Sequence, residues 1–421
     1  MDFFANLNGH TLISFLKRAN LYPFFRKIDA TSGGRVHHDG RELIMMGSNN
    51  YLGLTHERKV MNAAIAAIGE WGTGCTGSRF LNGNLAIHES LESELSEFFE
   101  YDDALVFASG FMANLGALSC IVGKGDYIFS DDENHACIIE GCKQSGAEIL
   151  IFKHNDMTDL ELKLKTVPET AKKLIVTDAV FSMDGSVAKF GEIHRLARIY
   201  GAKTYVDEAH SVGVIGKNGR GISELCGVKA DIMMGTFSKS LASQGGFICA
   251  SHEVIDWIRL KGRTFMFSAA LSPANVAAAI ASLRILREEP QRVQILRKNA
   301  LYLRNALSEM GLPVAASDSS IISIPIGDEV KTLSLSKDFQ SAGVFITPVV
   351  FPAVPRNQGS VRCSVMATHS IEDLQLVVKT FERYKDLILA PSAETSLAFH
   401  DFLKNNKVEM SLNKHTQQEM R

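Results

Sequence analysis

The sequence predicts an α/β protein: a large unit with a mostly parallel sheet flanked by helices, then a smaller C-terminal α/β unit. Two observations carry this. First, from about residue 58 the chain alternates between strand-like runs and stretches of helical period. Second, the strand-like runs are short and nearly continuously apolar, as strands covered on both faces are.

The strand-like runs are Ala104–Phe107, Tyr127–Ser130, Ile149–Phe152, Leu174–Thr177, Thr204–Val206, Ile232–Met234 and Phe247–Cys249. Helical periodicity covers 58–71, 86–99, 111–122, 135–146, 159–166 and 189–200. Helices between strands suit parallel crossovers. In such sheets ligands sit beyond the carboxyl ends of the strands, so polar residues just after each strand become the candidates.

Four segments follow. Residues 1–57 form an N-terminal arm, helical and then a short hairpin, with Glu42–Met46 and Tyr51–Leu54 flanking Ser48-Asn49-Asn50. Residues 58–290 form the large unit. Its end runs into a long helical stretch, 272–311, whose Ala-rich stripe from Ala274 to Leu286 bridges the two units. Residues 291–390 form the small unit, with strands at Ile321–Pro325, Val344–Val349 and Val361–Met366. Its last helix starts at Ser370, with Asp373 placed for a capping box. Residues 391–421 are a polar tail without a core face, read as frayed.

Composition narrows the function. The chain has 421 residues, is 46% hydrophobic and 22% charged, and carries a formal charge of -3. That length allows about two to three domains. Lys and Arg are scattered among acids, so no nucleic-acid footprint forms. The seven cysteines are odd in number and contain no CxxC pair. They fit small buried residues in a reducing compartment, and no metal-ligand spacing is present. The N-terminus lacks the features of a signal peptide, and no run of about 18 apolar residues occurs. The expectation is a soluble cytoplasmic protein, with association at a membrane surface left open.

Three segments at strand ends carry chemistry: Asp131-Asp-Glu-Asn-His135, Thr204-Tyr-Val-Asp207-Glu-Ala-His210 and Met234-Gly-Thr236-Phe-Ser238-Lys239-Ser240. A carboxylate buried after a strand needs a cationic partner, and a protonated pyridine nitrogen is one. A helix-capping Asp explains Asp207 equally well when it is taken alone. His210 shares its rim and could bond a ring phenolate; a satisfied core histidine is the simpler reading of one lone His. Lys239 sits among three hydroxyls and a Gly, which looks like a phosphate cradle with an amine in reach. A surface lysine is the alternative, weakened by Gly245-Gly246 and the flanking apolar strands. His135 could stack on a flat aromatic cofactor or simply begin a helix. Ser109-Gly110-Phe111 opens a helix after a strand, a second place for an anion.

Jointly, Asp207-x-x-His210, Gly235-Thr-Phe-Ser-Lys239, Ser109-Gly-Phe and Asn134-His135 resemble the α-oxoamine synthases, which are fold-type I enzymes dependent on pyridoxal 5'-phosphate (PLP). The resemblance spans about residues 20–388. It implies Lys239 as the covalent anchor of PLP and Asp207 as partner of the pyridine nitrogen. It implies His210 and Ser182 as ligands of the phenolate oxygen, and His135 as the stacking histidine that guides loss of the α-proton. Gly110, Phe111, Thr236 and Ser238 match phosphate contacts, and Ser268 matches one that crosses a dimer interface. Asn50 and Tyr51 match a substrate-side loop that enters the neighbouring subunit's site. Arg362 matches the arginine that binds the amino-acid carboxylate, a role suited to a planar guanidinium.

Within the family, three stretches are most similar to bacterial serine palmitoyltransferases: Gly72-Thr-Gly-Cys75-Thr-Gly-Ser-Arg79-Phe-Leu-Asn-Gly, Asp207-Glu-Ala-His210-Ser-Val-Gly and Met366-Ala-Thr368-His369. Phe351, before Pro352, stands where Pro is expected. The implied reaction is a decarboxylating condensation of L-serine with a long-chain acyl-CoA, palmitoyl-CoA, giving 3-oxosphinganine. The implied assembly is a homodimer with shared active sites. The alternatives are family members that use glycine or L-alanine, as 2-amino-3-oxobutyrate CoA ligase and 8-amino-7-oxononanoate synthase do. A non-catalytic subunit is more remote, because Lys239, His135 and Asp207 are all present.

Overall fold

The computed structural model describes residues 16–18, 21–351 and 353–391. The polar tail, apart from Pro391, and most of the helical arm lie outside the described residues, as does Pro352.

The large sheet has seven strands: β4 (Asp103–Phe107), β5 (Tyr127–Asp131), β6 (Glu148–Phe152), β7 (Lys173–Asp178), β8 (Lys203–Asp207), β9 (Ile232–Thr236) and β10 (Gly246–Ala250). Their order is β4-β10-β9-β8-β7-β5-β6. Pairs among β5 to β9 are parallel, as expected. β10 runs antiparallel to both its neighbours. Only residues 237–245 join β9 to β10. That is too short for a parallel crossover, which needs about a dozen residues or more.

Six helices follow the expected periodicity: α1 (Arg58–Trp71), α2 (Ala86–Phe99), α3 (Gly110–Ile121), α4 (Ala136–Ser145), α5 (Met157–Lys165) and α6 (Phe190–Tyr200). After them come α7 (Ile222–Cys226), α8 (His252–Lys261), α9 (Arg263–Met266) and α10 (Pro273–Glu288). Successive strand residues face opposite layers. On β8, Tyr205 packs with Ala113 and Leu118 of α3 and Ile138 of α4. Val206 belongs to the other layer, with Leu95 of α2, Ile193 of α6 and Leu283 of α10. Both faces are therefore dry, which explains why the runs read as continuously apolar.

The long helical stretch breaks into α10 and α11 (Gln291–Glu309), at Glu289-Pro290. Proline has no amide hydrogen to continue α10. The small unit adds α12 (Glu329–Ser341), α13 (Ile371–Leu389) and four strands: β11 (Ile321–Gly327), β12 (Val344–Phe345), β13 (Thr347–Val349) and β14 (Gly359–Ser364). Ser370 caps α13, and the Asp373 carboxylate accepts the Ser370 N–H in return, each at 3.1 Å.

Two expectations are corrected. The expected hairpin is a three-stranded meander of β1 (Ala30–Ser32), β2 (Arg35–His38) and β3 (Arg41–Met45). Tyr51–Leu54 is a turn leading into a 3-10 helix at Leu54–His56. Gly53 takes φ +72°, and a Cβ there would lie 2.1 Å from Thr368; a strand cannot pass through that position. The expected strand Val344–Val349 splits at Ile346. β12 joins β3 in parallel, while β13 pairs with β14. The meander is thus sewn to the small unit and ends beside the large sheet.

Candidate active site

Asp207 ends β8 and is 2% exposed. Its Oδ2 accepts from Asn114 Nδ2 at 2.6 Å and its Oδ1 from the Ala209 N–H at 2.8 Å. Both donors are neutral, so the pair leaves the carboxylate with capacity for a cation. Asp178, its register partner on β7, is also buried. Its Oδ2 accepts the His135 N–H at 2.7 Å. Burial first, then Asp207, hold the Asp178 carboxyl well above the ordinary carboxylate range.

Lys239 lies in the loop after β9. Burial pulls its amine below the usual lysine value, against the attraction of Asp207 and Asp178. The loop is pinned by Thr236, whose hydroxyl donates to Gly245 O at 2.7 Å and meets Ser238 Oγ at 2.9 Å.

The start of α3 is set down beside these hydroxyls. Ser109 caps it by accepting the Met112 N–H at 3.2 Å. A Cβ on Gly110 would lie 3.1 Å from Thr236 Oγ1, and one on Gly246 would lie 2.6 Å from Gly110 Cα. Only glycines let the helix start, β10 and Thr236 approach this closely. Ser268 joins the same corner, its Oγ 3.6 Å from Met112 Sδ. Helix-start N–H groups, hydroxyls and a nearby amine together suit a phosphate. Phe111, in the first turn, is 46% exposed.

His135 caps α4 with its ring, which is open to solvent on one side. The crowding of its other side lowers its pKa; Asp207 opposes this and Lys239 adds to it. His210 is buried, and burial, with Lys239 and Arg362, drives its pKa well below the ordinary histidine value.

Tyr51 Oη lies 2.7 Å from His210 Nδ1 and donates to Asn49 Oδ1 at 3.2 Å. Burial pushes the Tyr51 phenol up to about 12. Arg362, on β14, is 7% exposed. Its Nε donates to Ser182 O at 2.6 Å, Nη1 to Ser364 Oγ at 2.8 Å and Nη2 to Asn49 Oδ1 at 3.1 Å. None of these acceptors is a carboxylate. A buried guanidinium held only by neutral oxygens calls for an anion.

The strand ends of the large sheet thus bring Lys239, Asp207, His210 and His135 together, and β14 and the loop after β3 add Arg362 and Tyr51. Within the chain, Tyr51 meets His210, and the Ala367 N–H donates to Tyr51 O at 2.7 Å. Asn50 does not join these groups: its amide donates to Thr55 Oγ1 at 2.8 Å. Four residues were missed: Asn49, Asn114, Cys137 and Asp178. Asp178 follows a strand as Asp207 does, so the same rule could have found it. The expectation of no metal-ligand cluster needs one qualification. Asp131, Asp132 and His154 stand close enough to share an ion. His154 is already engaged, through Nδ1 by Asp131 at 3.0 Å and through Nε2 by Ser186 Oγ at 2.9 Å.

Residues 41–381 match the profile of the aminotransferase class I and II family. The chain is 42% identical to serine palmitoyltransferase of Sphingobacterium spiritivorum over 90% of its length and 95% of that protein. It is 44% identical to 8-amino-7-oxononanoate synthase of Thermoanaerobacter pseudethanolicus over 87% of its length and 94% of that protein. It is also similar to a solved serine palmitoyltransferase variant from S. paucimobilis with PLP bound. There the TM-score is 0.89 at 33% identity, over 92% of this chain and 99% of that one. The chain belongs to the class I and II aminotransferase family, in its α-oxoamine synthase branch. It is a PLP-dependent acyltransferase with the fold-type I architecture.

The residues present fit PLP. The glycine-lined helix start and the Thr236 and Ser238 hydroxyls can take its phosphate, the buried Asp207 its pyridine nitrogen, and the Lys239 amine its aldehyde carbon. Among the described residues, no helix is long and apolar enough to cross a membrane.

Proposed function

We propose that the enzyme condenses L-serine with a long-chain acyl-CoA, with loss of carbon dioxide, to give a 3-oxo amino alcohol such as 3-oxosphinganine. The observation that carries the amino-acid half is Arg362, a buried guanidinium without a carboxylate among its hydrogen-bond partners, at the mouth of the Lys239 site. In this reading it holds the amino-acid carboxylate. Asn49 and Ser364 keep the guanidinium plane fixed, which lowers the cost of ordering it on binding.

When bound, PLP supplies an electron sink for the amino acid's α-carbon. The protein's residues do the rest. Asp207 keeps a proton on the pyridine nitrogen. His210 and Ser182 would face the phenolate oxygen, with Tyr51 orienting His210. Lys239 would hold PLP, and its amine is the group that would take the α-proton; a lowered pKa suits that task. His135 would lie along the ring and guide the proton's departure. Gly110, Phe111, Thr236, Ser238 and Ser268 hold the phosphate. The same reading includes a homodimer. Support comes from exposed Phe80, Leu81, Phe111 and Phe267, apolar surface that a second copy would cover.

Serine is favoured by the serine palmitoyltransferases among the relatives. A second reading, L-alanine with another acyl thioester, is favoured by the 44% identity to 8-amino-7-oxononanoate synthase. The deciding experiment sets serine, glycine and alanine against short and long acyl-CoAs and the corresponding acyl carrier proteins. Product from serine and palmitoyl-CoA is expected. No product from serine, with turnover of alanine, would overturn the first reading.

A further inference from the structure

Cys137 is the second residue of α4 and is 4% exposed. Its backbone N–H points at His135 Nδ1, 3.2 Å away, and its Sγ lies 2.8 Å from the same nitrogen. An amide N–H can only donate. His135 Nδ1 is therefore an acceptor and bears no proton, so the neutral ring carries its proton on Nε2. The positive end of α4 acts against a second proton on that ring.

Asn114 directs the thiol. This residue is fully buried. Tyr205 Oη donates to Asn114 Oδ1 at 2.8 Å, which fixes which end of the amide faces which way. Its Nδ2 then donates to Asp207 Oδ2 at 2.6 Å and to Cys137 Sγ at 3.0 Å. A sulfur that accepts from Asn114 is left to turn its own hydrogen toward His135. Burial raises the thiol's pKa, which keeps that hydrogen in place.

We propose that Cys137 is a positioning residue: together with Asn114 it locks His135 in the Nε2–H form, so that the ring offers the cleft an N–H donor. Nε2 has no hydrogen-bond partner among the described residues, which leaves that donor free for a substrate oxygen. Asn114 ties this choice to Asp207, so the group that faces the pyridine nitrogen and the group that lies along the ring share one hydrogen-bond network. The inference rests on reading His135 as facing the cofactor. It does not depend on which amino acid or acyl donor is used.

The test is ¹⁵N NMR of the histidine-labelled holoenzyme, with His135→Gln to assign the resonance. The native protein should show His135 as a single Nε2–H species across about pH 6–8. A proton on Nδ1 would overturn the proposal, with no variant needed. Cys137→Ala keeps the backbone contact and loses the thiol. With only the longer backbone contact left on Nδ1, Nε2–H should stay the main form but a minor Nδ1–H form should appear, with a shifted pH profile and a roughly tenfold lower kcat/KM for the amino acid, about the worth of one hydrogen bond. Cys137→Ser supplies a donor and an acceptor again and should recover to within about threefold of native. An unchanged tautomer and pH profile in the alanine variant, or a serine variant as impaired as alanine at equal PLP content, would overturn it. If serine proves not to be the substrate, the NMR result still stands by itself.

Discussion

Asp178 and Asp207 are direct neighbours, paired across the carboxyl ends of two parallel strands. Two adjacent buried carboxylates cannot both ionise cheaply. Asp178 keeps its proton to unusually high pH and accepts an N–H from His135. Asp207 instead accepts from two neutral N–H groups, of Asn114 and Ala209, and is the carboxylate that the proposed function sets against the pyridine nitrogen. The pair should therefore respond unequally to the same substitution. Asp178→Asn replaces a neutral acid with a neutral amide of the same shape, and activity should stay within about tenfold of native. Asp207→Asn removes the cation's partner and should cost roughly a thousandfold. Steady-state kinetics of both variants decide, and equal losses would refute this division of labour.

Lys239→Ala should abolish turnover and the visible absorbance of lysine-bound PLP. The fold should survive, because the pins of the loop are Thr236, Gly245 and Phe237, not the lysine. Absorbance scans before and after borohydride, with circular dichroism as the control for folding, check this. Full turnover in the variant would remove the lysine from the mechanism.

Arg362→Ala should raise KM for the amino acid by about a hundredfold, the scale of losing one partner of a buried charge-assisted contact. PLP content should be unchanged, because the contacts of Arg362 run to the Ser182 backbone carbonyl, Ser364 and Asn49, and not to the phosphate corner or to Lys239. Arg362→Lys should recover little, because a point charge cannot pair with a carboxylate in two-pronged fashion. Substrate titrations at fixed acyl donor separate KM from kcat.

Glu208, beside Asp207, is fully buried, and burial raises its pKa from 4.5 to about 7. Below pH 4.5 the folded and unfolded chains both hold this proton. Between 4.5 and about 7 only the folded chain does, so stability falls as pH rises through that window and levels off above it. The shift is worth about 3 kcal/mol for a group with no solvent contact. Glu208→Gln should remove that slope while still accepting the Ile222 N–H. Urea unfolding of both proteins from about pH 5 to 8 should show the difference between them shifting in the variant's favour as pH rises. A constant difference would mean that Glu208 does not titrate in the native state.

The layers of the fold were legible because burial on both faces leaves a plain mark: short runs with no charged member and few polar ones. Asp207 stood out for the same reason, as the first charge after such a run. Asn114 did not stand out. It is one polar residue inside a helix, and its partners Cys137, Tyr205 and Asp207 all lie on other elements, Tyr205 91 residues away. Cys137 looked like any small buried cysteine until His135 Nδ1 was found beside it. The split at Ile346 was invisible because the partners of its two halves lie far apart along the chain. Such partnerships are decided by tertiary pairing, not by local preference.

That split also sets an order of events during synthesis. β3 is complete early, yet its parallel partner begins at Val344, which pairs with Ile44, 300 positions earlier in the chain. At ribosomal rates of about 5–20 residues per second, the gap lasts roughly 15–60 s. Through that interval one edge of the meander stands open, able to template pairing with another nascent chain. Growth temperature and chaperone supply should therefore govern the yield of folded enzyme more than the stability of the finished molecule does.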